Sequence, residues 1–498
     1  MTGLRANLKR CLVAMVLLSL PGVLGACTVN PATGKQSFTA FMSPEKEKEV
    51  GRLEHVKIVK QFGGVYDEDE LGAYVAIVGA KLSRYAELPD LSYTFTVLND
   101  EKVNAFALPG GYVYITRGLL ALVASEAEMA GVLAHEIGHV TARHTAQRYS
   151  ATMATNIGLQ VLGVIGSALG APTGTGTLAS FGAQAALQSY SREQELESDM
   201  LGVRYLARAG YDTNAMTGFF HKLQAHTRLM ATMEGRDGGE QHSIMSTHPL
   251  TSERITAAKQ QVAMVQASGN KQGARAYDDM IDGLLFGDDP KQGIRKGRVF
   301  EHPDLGIRFE VPSGFTMLNS STQLLARNND GVEIIFTMAN ADTFLKAGDV
   351  SKYLAAIRID GTRFSGIETL DVNGMDAATG NTRVTKNGQS RDARLVVIRE
   401  DNERAYQLLF LTPPKMAASM STDLRRTTYS FRKMTRAERE AIKPLRIRLR
   451  TVKPGDTVES ISARMPIETF AVEWFELLNG KSRSTPLNPG DVVRIVAE

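Results

Sequence analysis

The segment ASEAEMAGVLAHEIGHVTARHTAQRY, residues 124–149, constrains the chain more than any other. Its apolar residues recur at helical spacing, so it reads as one helix. Within it stands His135-Glu136-Ile137-Gly138-His139, an H-E-x-x-H pattern. Residues i and i+4 share a helix face, so both imidazoles can reach one zinc ion. Glu136 lies beside them, where it can accept a proton from water on that ion. A hydrolytic zinc site needs three protein ligands and an open position, so a third ligand must come from elsewhere. The best source is a second helix, SREQELESDMLGVRYLARAG, ended by Gly210. Glu195 lies there, and Asp199 follows one turn later on the same face, placed to hydrogen-bond a ligand histidine. Spacing alone leaves Glu193 and Glu197 open as alternatives to Glu195. His144 is nine residues past His135, about 2.5 turns and another face, which gives it a packing or surface role. His55, His221, His226, His242 and His302 show no metal-ligand spacing with one another.

The ends of the chain say where such a site would work. Arg5, Lys9 and Arg10 precede the apolar run CLVAMVLLSL, and Leu24-Gly25-Ala26 precedes Cys27. Residues 1–26 therefore read as a secretory signal, and the small residues before Cys27 resemble the bacterial lipobox. Lipidation at Cys27 would anchor the chain to a membrane stably, because two or three acyl chains suffice where one does not. Thr28 rather than Asp after the cysteine favours the outer membrane. Processing would remove Cys11 and use Cys27, the only two cysteines, so no structural disulfide is expected. Removing the leader also takes three of the 57 Lys and Arg, leaving them level with the 54 Asp and Glu. A neutral chain with one Trp and no basic cluster gives no footing for nucleic acid.

Between these ends the chain falls into distinct stretches. Residues 27–43 are polar and turn-rich, a tether. Helices follow over 44–90, then a strand-like LSYTFTVLN and a hairpin or bent edge strand around Pro109-Gly110-Gly111. From Tyr149 to Ser191 there is no charged residue, and glycines interrupt the apolar run. A helical hairpin or lid over the site is the favoured reading of that stretch, with a membrane-touching loop or a spanning helix as alternatives. Residues 44–285 form the first domain, and a linker near 286–296 leads to an α+β domain at 297–435 without recognisable chemistry. A final unit covers 446–498.

Four stretches together resemble the gluzincin family of the heat-shock protease HtpX, the CAAX prenyl proteases and periplasmic proteases that police outer-membrane assembly. They are VNAFALPGGYVYITRGLL, SEAEMAGVLAHEIGHVTARH, SREQELESD and STHPLTSERI, in matching order and approximate spacing over residues 45–260. The resemblance implies a mainly α-helical zincin (α+β) fold, one zinc per chain held by His135, His139 and Glu195, and Asp199 as the partner of the site. It implies a zinc metalloendopeptidase with Glu136 as catalytic base. Its substrates would be misfolded or misassembled envelope proteins, held along the edge strand at Ala107, Leu108, Pro109, Gly110 and Gly111 by β-augmentation. In the resembling periplasmic branch a loop histidine can take the fourth zinc position and hold the enzyme latent, which maps to His248. This chain shows no spanning helix of the HtpX kind and no helical repeat of solenoid period.

The C-terminal VKPGDTVESISARM and FELLNGKSRSTPLNPGDVVRIV resemble a LysM module of βααβ order. That implies binding to N-acetylglucosamine polymers such as peptidoglycan, against a spacer or docking role. The whole is expected to be a multidomain, lipid-anchored, periplasm-facing protein. A chaperone or assembly factor with little turnover, and a cell-wall-tethered interaction protein, are the alternatives. The second is disfavoured because a structural zinc needs no glutamate base.

Overall fold

The computed structural model describes residues 27–154, 189–234 and 244–498. The leader, most of the charge-free stretch and the lid reading attached to it lie outside the described residues. The chain divides into two compact units. One comprises Met1–Lys60, Gly64–Leu284 and Ile447–Ile495; the other comprises Gln61–Gly63, Leu285–Arg446 and Val496–Glu498. Among the described residues no helix is long and apolar enough to cross a membrane.

The first unit opens with a short antiparallel hairpin, β1 (Cys27–Val29) and β2 (Gln36–Phe38), where the sequence reads only a tether. Helices α1 (Pro44–Gln61) and α2 (Asp69–Ser83) follow. A three-stranded sheet comes next, ordered β3 (Thr94–Leu98), β5 (Tyr112–Thr116), β4 (Ala105–Leu108), so β4 stands at an edge. β3 runs parallel to β5, and β4 runs antiparallel to it through the turn at Pro109-Gly110-Gly111. That turn needs its glycines. Gly110 and Gly111 have φ of 81° and 91°, which L side chains avoid. A Cβ on Gly110 would stand 2.8 Å from Lys48 Cα of α1. The turn is buried against that helix.

Short helix α3 (Arg117–Leu122) leads to α4 (Glu126–Thr141), the H-E-x-x-H helix. Ser125 caps α4 by accepting from Glu128 N, and Glu128 reaches back to Ala124 N. Helix α5 (Arg192–Arg208) starts at a capping box of Ser191 and Gln194. The pairing of α4 with α5 depends on small residues. A Cβ on Gly138 would stand 2.7 Å from Ser198 Oγ, and one on Gly202 would stand 3.2 Å from His135 N. With no side chain there, the two backbones close up and Ser198 donates to His135 O. Helices α6 (Asn214–Glu234), α7 (Ile244–Thr247) and α8 (Ser252–Met264) complete the helical part.

Residues of the C-terminal stretch run strand Arg446–Thr451, helices Val458–Ser462 and Ala471–Asn479, then strand Val492–Ala497, the two strands paired. In the second unit a seven-stranded antiparallel sheet has its central strands at Gln389–Arg399 and Ala405–Thr412. Val396 and Ile398 face one buried cluster, while Leu395 and Val397 face another. Alternation of this kind shows a sheet covered on both faces.

Candidate metal centre

Helix α4 supplies His135, Glu136 and His139, α5 supplies Glu195 and Asp199, and the residue after α7 supplies His248. His135, His139, Glu195 and His248 are buried and bring one donor atom each into a common cluster. His135 Nε2 lies 3.0 Å from His139 Nε2 and 3.2 Å from His248 Nδ1. Glu195 Oε1 lies 2.9 Å from His248 Nδ1 and 3.3 Å from His139 Nε2. Four donors about 2.0–2.1 Å from a tetrahedral zinc would stand roughly 3.3 Å apart. The observed spacing fits that.

The hydrogen bonds behind these atoms decide what the cluster can hold. Asp199 Oδ1 is 2.9 Å from His135 Nδ1. A carboxylate only accepts, so the hydrogen sits on Nδ1 and Nε2 keeps its lone pair. That lone pair points into the cluster, toward His139 Nε2 and His248 Nδ1. Burial pushes the His139 imidazole well below its usual range, which keeps it neutral as a ligand must be. Burial also opposes charge on Glu195. The facing His248, with His139 and His135, outweighs it and holds that carboxyl well below the usual range. The donor set fits a zinc ion.

Glu136 differs from Glu195. Burial raises its pKa, and neither carboxylate oxygen has a hydrogen-bond partner among the described residues. Its Oε1 lies 3.4 Å from His248 Nε2. Beside it a narrow apolar pocket is lined by Val132, Met216, Phe219, Phe220, Leu223 and Leu250.

Arg254, a residue that sequence reasoning passed over, ties the parts together. It is 3% exposed and donates through Nε and Nη2 to the two oxygens of Asp199, each at 2.8 Å. Its Nη1 lies 2.6 Å from Glu195 Oε2 and donates to Pro249 O at 3.0 Å. Thr251 starts α8 by capping Arg254 N, which places the side chain. The signal was present in STHPLTSERI: an arginine in the first turn of a capped helix, six residues past His248. Tyr190 was also missed. Its ring stacks on His139 at 3.7 Å, and its N–H donates to Thr247 O.

The reading of His144 is corrected. The sequence runs one helix through residue 149, but α4 ends at Thr141 and Arg143 takes a left-handed φ of 57°. The chain turns there, so the helical wheel no longer applies. His144 comes back to lie fully buried, with Nδ1 2.8 Å from His139 Nδ1. Ala107 and Leu108 lie on edge strand β4 and are buried. Pro109, Gly110 and Gly111 are covered.

Residues 70–262 match the profile of Peptidase family M48. That stretch is similar to peptidase family M48. It holds the donor set and the glutamate without a hydrogen bond described above. Among relatives of the M48 unit, a putative beta-barrel assembly-enhancing protease of Vibrio cholerae is 34% identical over 213 residues, 41% of this chain and 42% of that protein. The beta-barrel assembly-enhancing protease of Yersinia pestis is 31% identical over 245 residues, 48% of each. The mitochondrial metalloendopeptidase OMA1 of Schizosaccharomyces pombe is 27% identical over 230 residues, 45% of this chain and 63% of that protein. The chain spans about half the length of the bacterial relatives it matches.

Proposed function

We propose that the chain is a zinc metalloendopeptidase of the cell envelope, with misfolded or misassembled envelope proteins as substrates. The observation that carries the reading is a buried Glu136 with no hydrogen bond among the described residues, beside four converging donors in an M48-like stretch. His135, His139 and Glu195 would hold the zinc, with Asp199 fixing the His135 ring. Zinc, when bound, supplies a Lewis acid that polarises the scissile carbonyl and acidifies water. Glu136 takes the proton of the attacking water and delivers it to the leaving amine. Its raised pKa suits a group that must take up the water's proton. β4 is the edge strand on which an extended substrate would pair, selecting shape over sequence, but its residues are buried, so pairing there would first require its cover to open. Two relatives named for β-barrel assembly support the substrate class. Cys27 would carry the lipid anchor, on the outer membrane, and residues 446–498 would bind peptidoglycan as a LysM module.

His248 occupies the fourth donor position, where a hydrolytic site needs an opening. In this role it is a latch, and the enzyme is latent until the loop after α7 withdraws. The same closure favours a second reading, a chaperone that holds clients and rarely cuts. The test is degradation of an unfolded protein by a chain beginning after Cys27, with zinc measured on every sample. Wild type or His248→Ala should cleave, and Glu136→Gln at equal zinc should not. Faster cleavage by His248→Ala measures the latch; equal rates and equal zinc affinity would remove it. Full zinc with no cleavage in any sample would turn the reading to the chaperone.

A further inference from the structure

His144 has a second partner beyond His139. Its Nε2 lies 3.0 Å from Glu197 Oε2. The carboxylate accepts, so Nε2 carries the hydrogen and His144 Nδ1 is the acceptor. His139 Nδ1–H must then donate to it, which leaves the His139 lone pair on Nε2, the atom turned to the other donors. Glu197 and His144 thus fix both the tautomer and the orientation of His139, the task that a single carboxylate, backbone carbonyl or water performs behind most ligand histidines.

Both ends of this relay are gripped by the N-terminal stretch. At one end, Asn30 donates from Nδ2 to Glu197 Oε1 at 3.3 Å. Asn30 is 2% exposed, and its Oδ1 accepts Ala32 N at 2.9 Å, holding the turn between β1 and β2. At the other end stands Arg143, whose left-handed backbone returns His144 to His139 and is unfavourable for an L residue. Its guanidinium donates to Glu47 Oε1 at 2.7 Å, Met42 O at 2.7 Å and Thr28 Oγ1 at 3.2 Å. All of these acceptors lie between residues 28 and 47.

We propose that residues 28–47 are an outer layer of the metal centre. Asn30 and the acceptors of Arg143 position Glu197 and His144, which position His139, so that docking of the N-terminal hairpin sets how tightly zinc is held. The segment that follows Cys27 thereby becomes part of the site. This inference rests on the zinc reading of the site.

Zinc affinity of the full chain, measured by competition with a chromophoric chelator, tests it without any cleavage assay. His144→Leu should weaken zinc about 10–100-fold. His144→Gln keeps an acceptor for His139 and a donor for Glu197 and should recover most of that loss. Asn30→Leu should weaken zinc several-fold in the wild-type background and add nothing in the His144→Leu background. If His144→Leu does not fold, Glu197→Gln combined with Asn30→Leu makes the same cycle. Wild-type affinity in His144→Leu, or an Asn30→Leu effect undiminished without His144, would overturn the inference and leave the zinc reading standing. A wild-type chain that binds no zinc would overturn both.

Discussion

Arg254 shows how much of the site rests on one side chain. It neutralises Asp199 and Glu195 at once, in a region closed to water. Replacing it by Met keeps the volume of the stem but leaves two buried carboxylates facing one cation fewer. Removing one partner of a buried ion pair costs about 3–5 kcal/mol. Arg254→Met should therefore lose stability on that scale in urea unfolding of the zinc-free chain. A loss below about 1 kcal/mol would show that the pair contributes no more than a surface salt bridge. The shared face of His135, Glu136 and His139 was legible because one helix turn fixes their relation. The roles of Arg254, Tyr190 and His144 were not, because their contacts cross between elements or follow a break in helical geometry.

At the scale of elements, the α4–α5 contact sets the distance between the histidines and Glu195. Gly138→Ala puts a methyl group 2.7 Å from Ser198 Oγ and 3.1 Å from Ser198 O. The backbone oxygen cannot swing aside, so the helices must separate. A destabilisation of about 1–3 kcal/mol is expected, as for other overpacked sites, together with weaker zinc binding as Glu195 retreats. Gly131 on the same helix is the control. A Cβ there would meet nothing closer than 3.7 Å, so Gly131→Ala should gain up to about 1 kcal/mol from helix propensity. Thermal melts of the two variants check both signs, and a neutral Gly138→Ala would defeat the packing account. The sequence shows both glycines at helical positions in one motif-bearing run. Only the neighbouring helix distinguishes them.

At the scale of the molecule, the C-terminal stretch joins the first unit instead of standing apart. Arg494 is 4% exposed and donates to Asp278 Oδ1, Val123 O and Ala124 O. Val123 and Ala124 precede Ser125, the cap of α4, so the last strand grips the entrance to the zinc helix. Nearby, His226 of α6 lies 6.3 Å, ring to ring, from Trp474 of the helix Ala471–Asn479. Burial pushes the His226 imidazole down to about 4. An unfolded chain takes a proton on this residue below about 6.5, whereas the folded ring stays neutral until about 4. Stability held above pH 6.5 is therefore lost as the pH falls toward 4, by roughly 3 kcal/mol. Unfolding free energies at pH 7 and pH 4.5 should show a smaller acid loss in His226→Phe than in wild type. Equal losses would place the sensitivity elsewhere.

The sequence by itself determined that helices carry the motif, the H-E-x-x-H face and the family resemblance, because these depend on local period and on residues a few positions apart; it did not place the end of α4 at Thr141. It narrowed the third donor to a cluster of acids, and only the resemblance chose Glu195. Tertiary structure decided which acid meets the histidines, since Glu195 and Glu197 lie on one helix and serve different histidines. It also decided that the tether is a docked hairpin and that the last strand braces the zinc helix. Those outcomes depend on contacts between residues separated by more than a hundred positions, such as Asn30 with Glu197 and Arg494 with Val123. No periodicity along the chain encodes such pairings. They form only when packed helices bring their polar groups out of water and each group must find a partner.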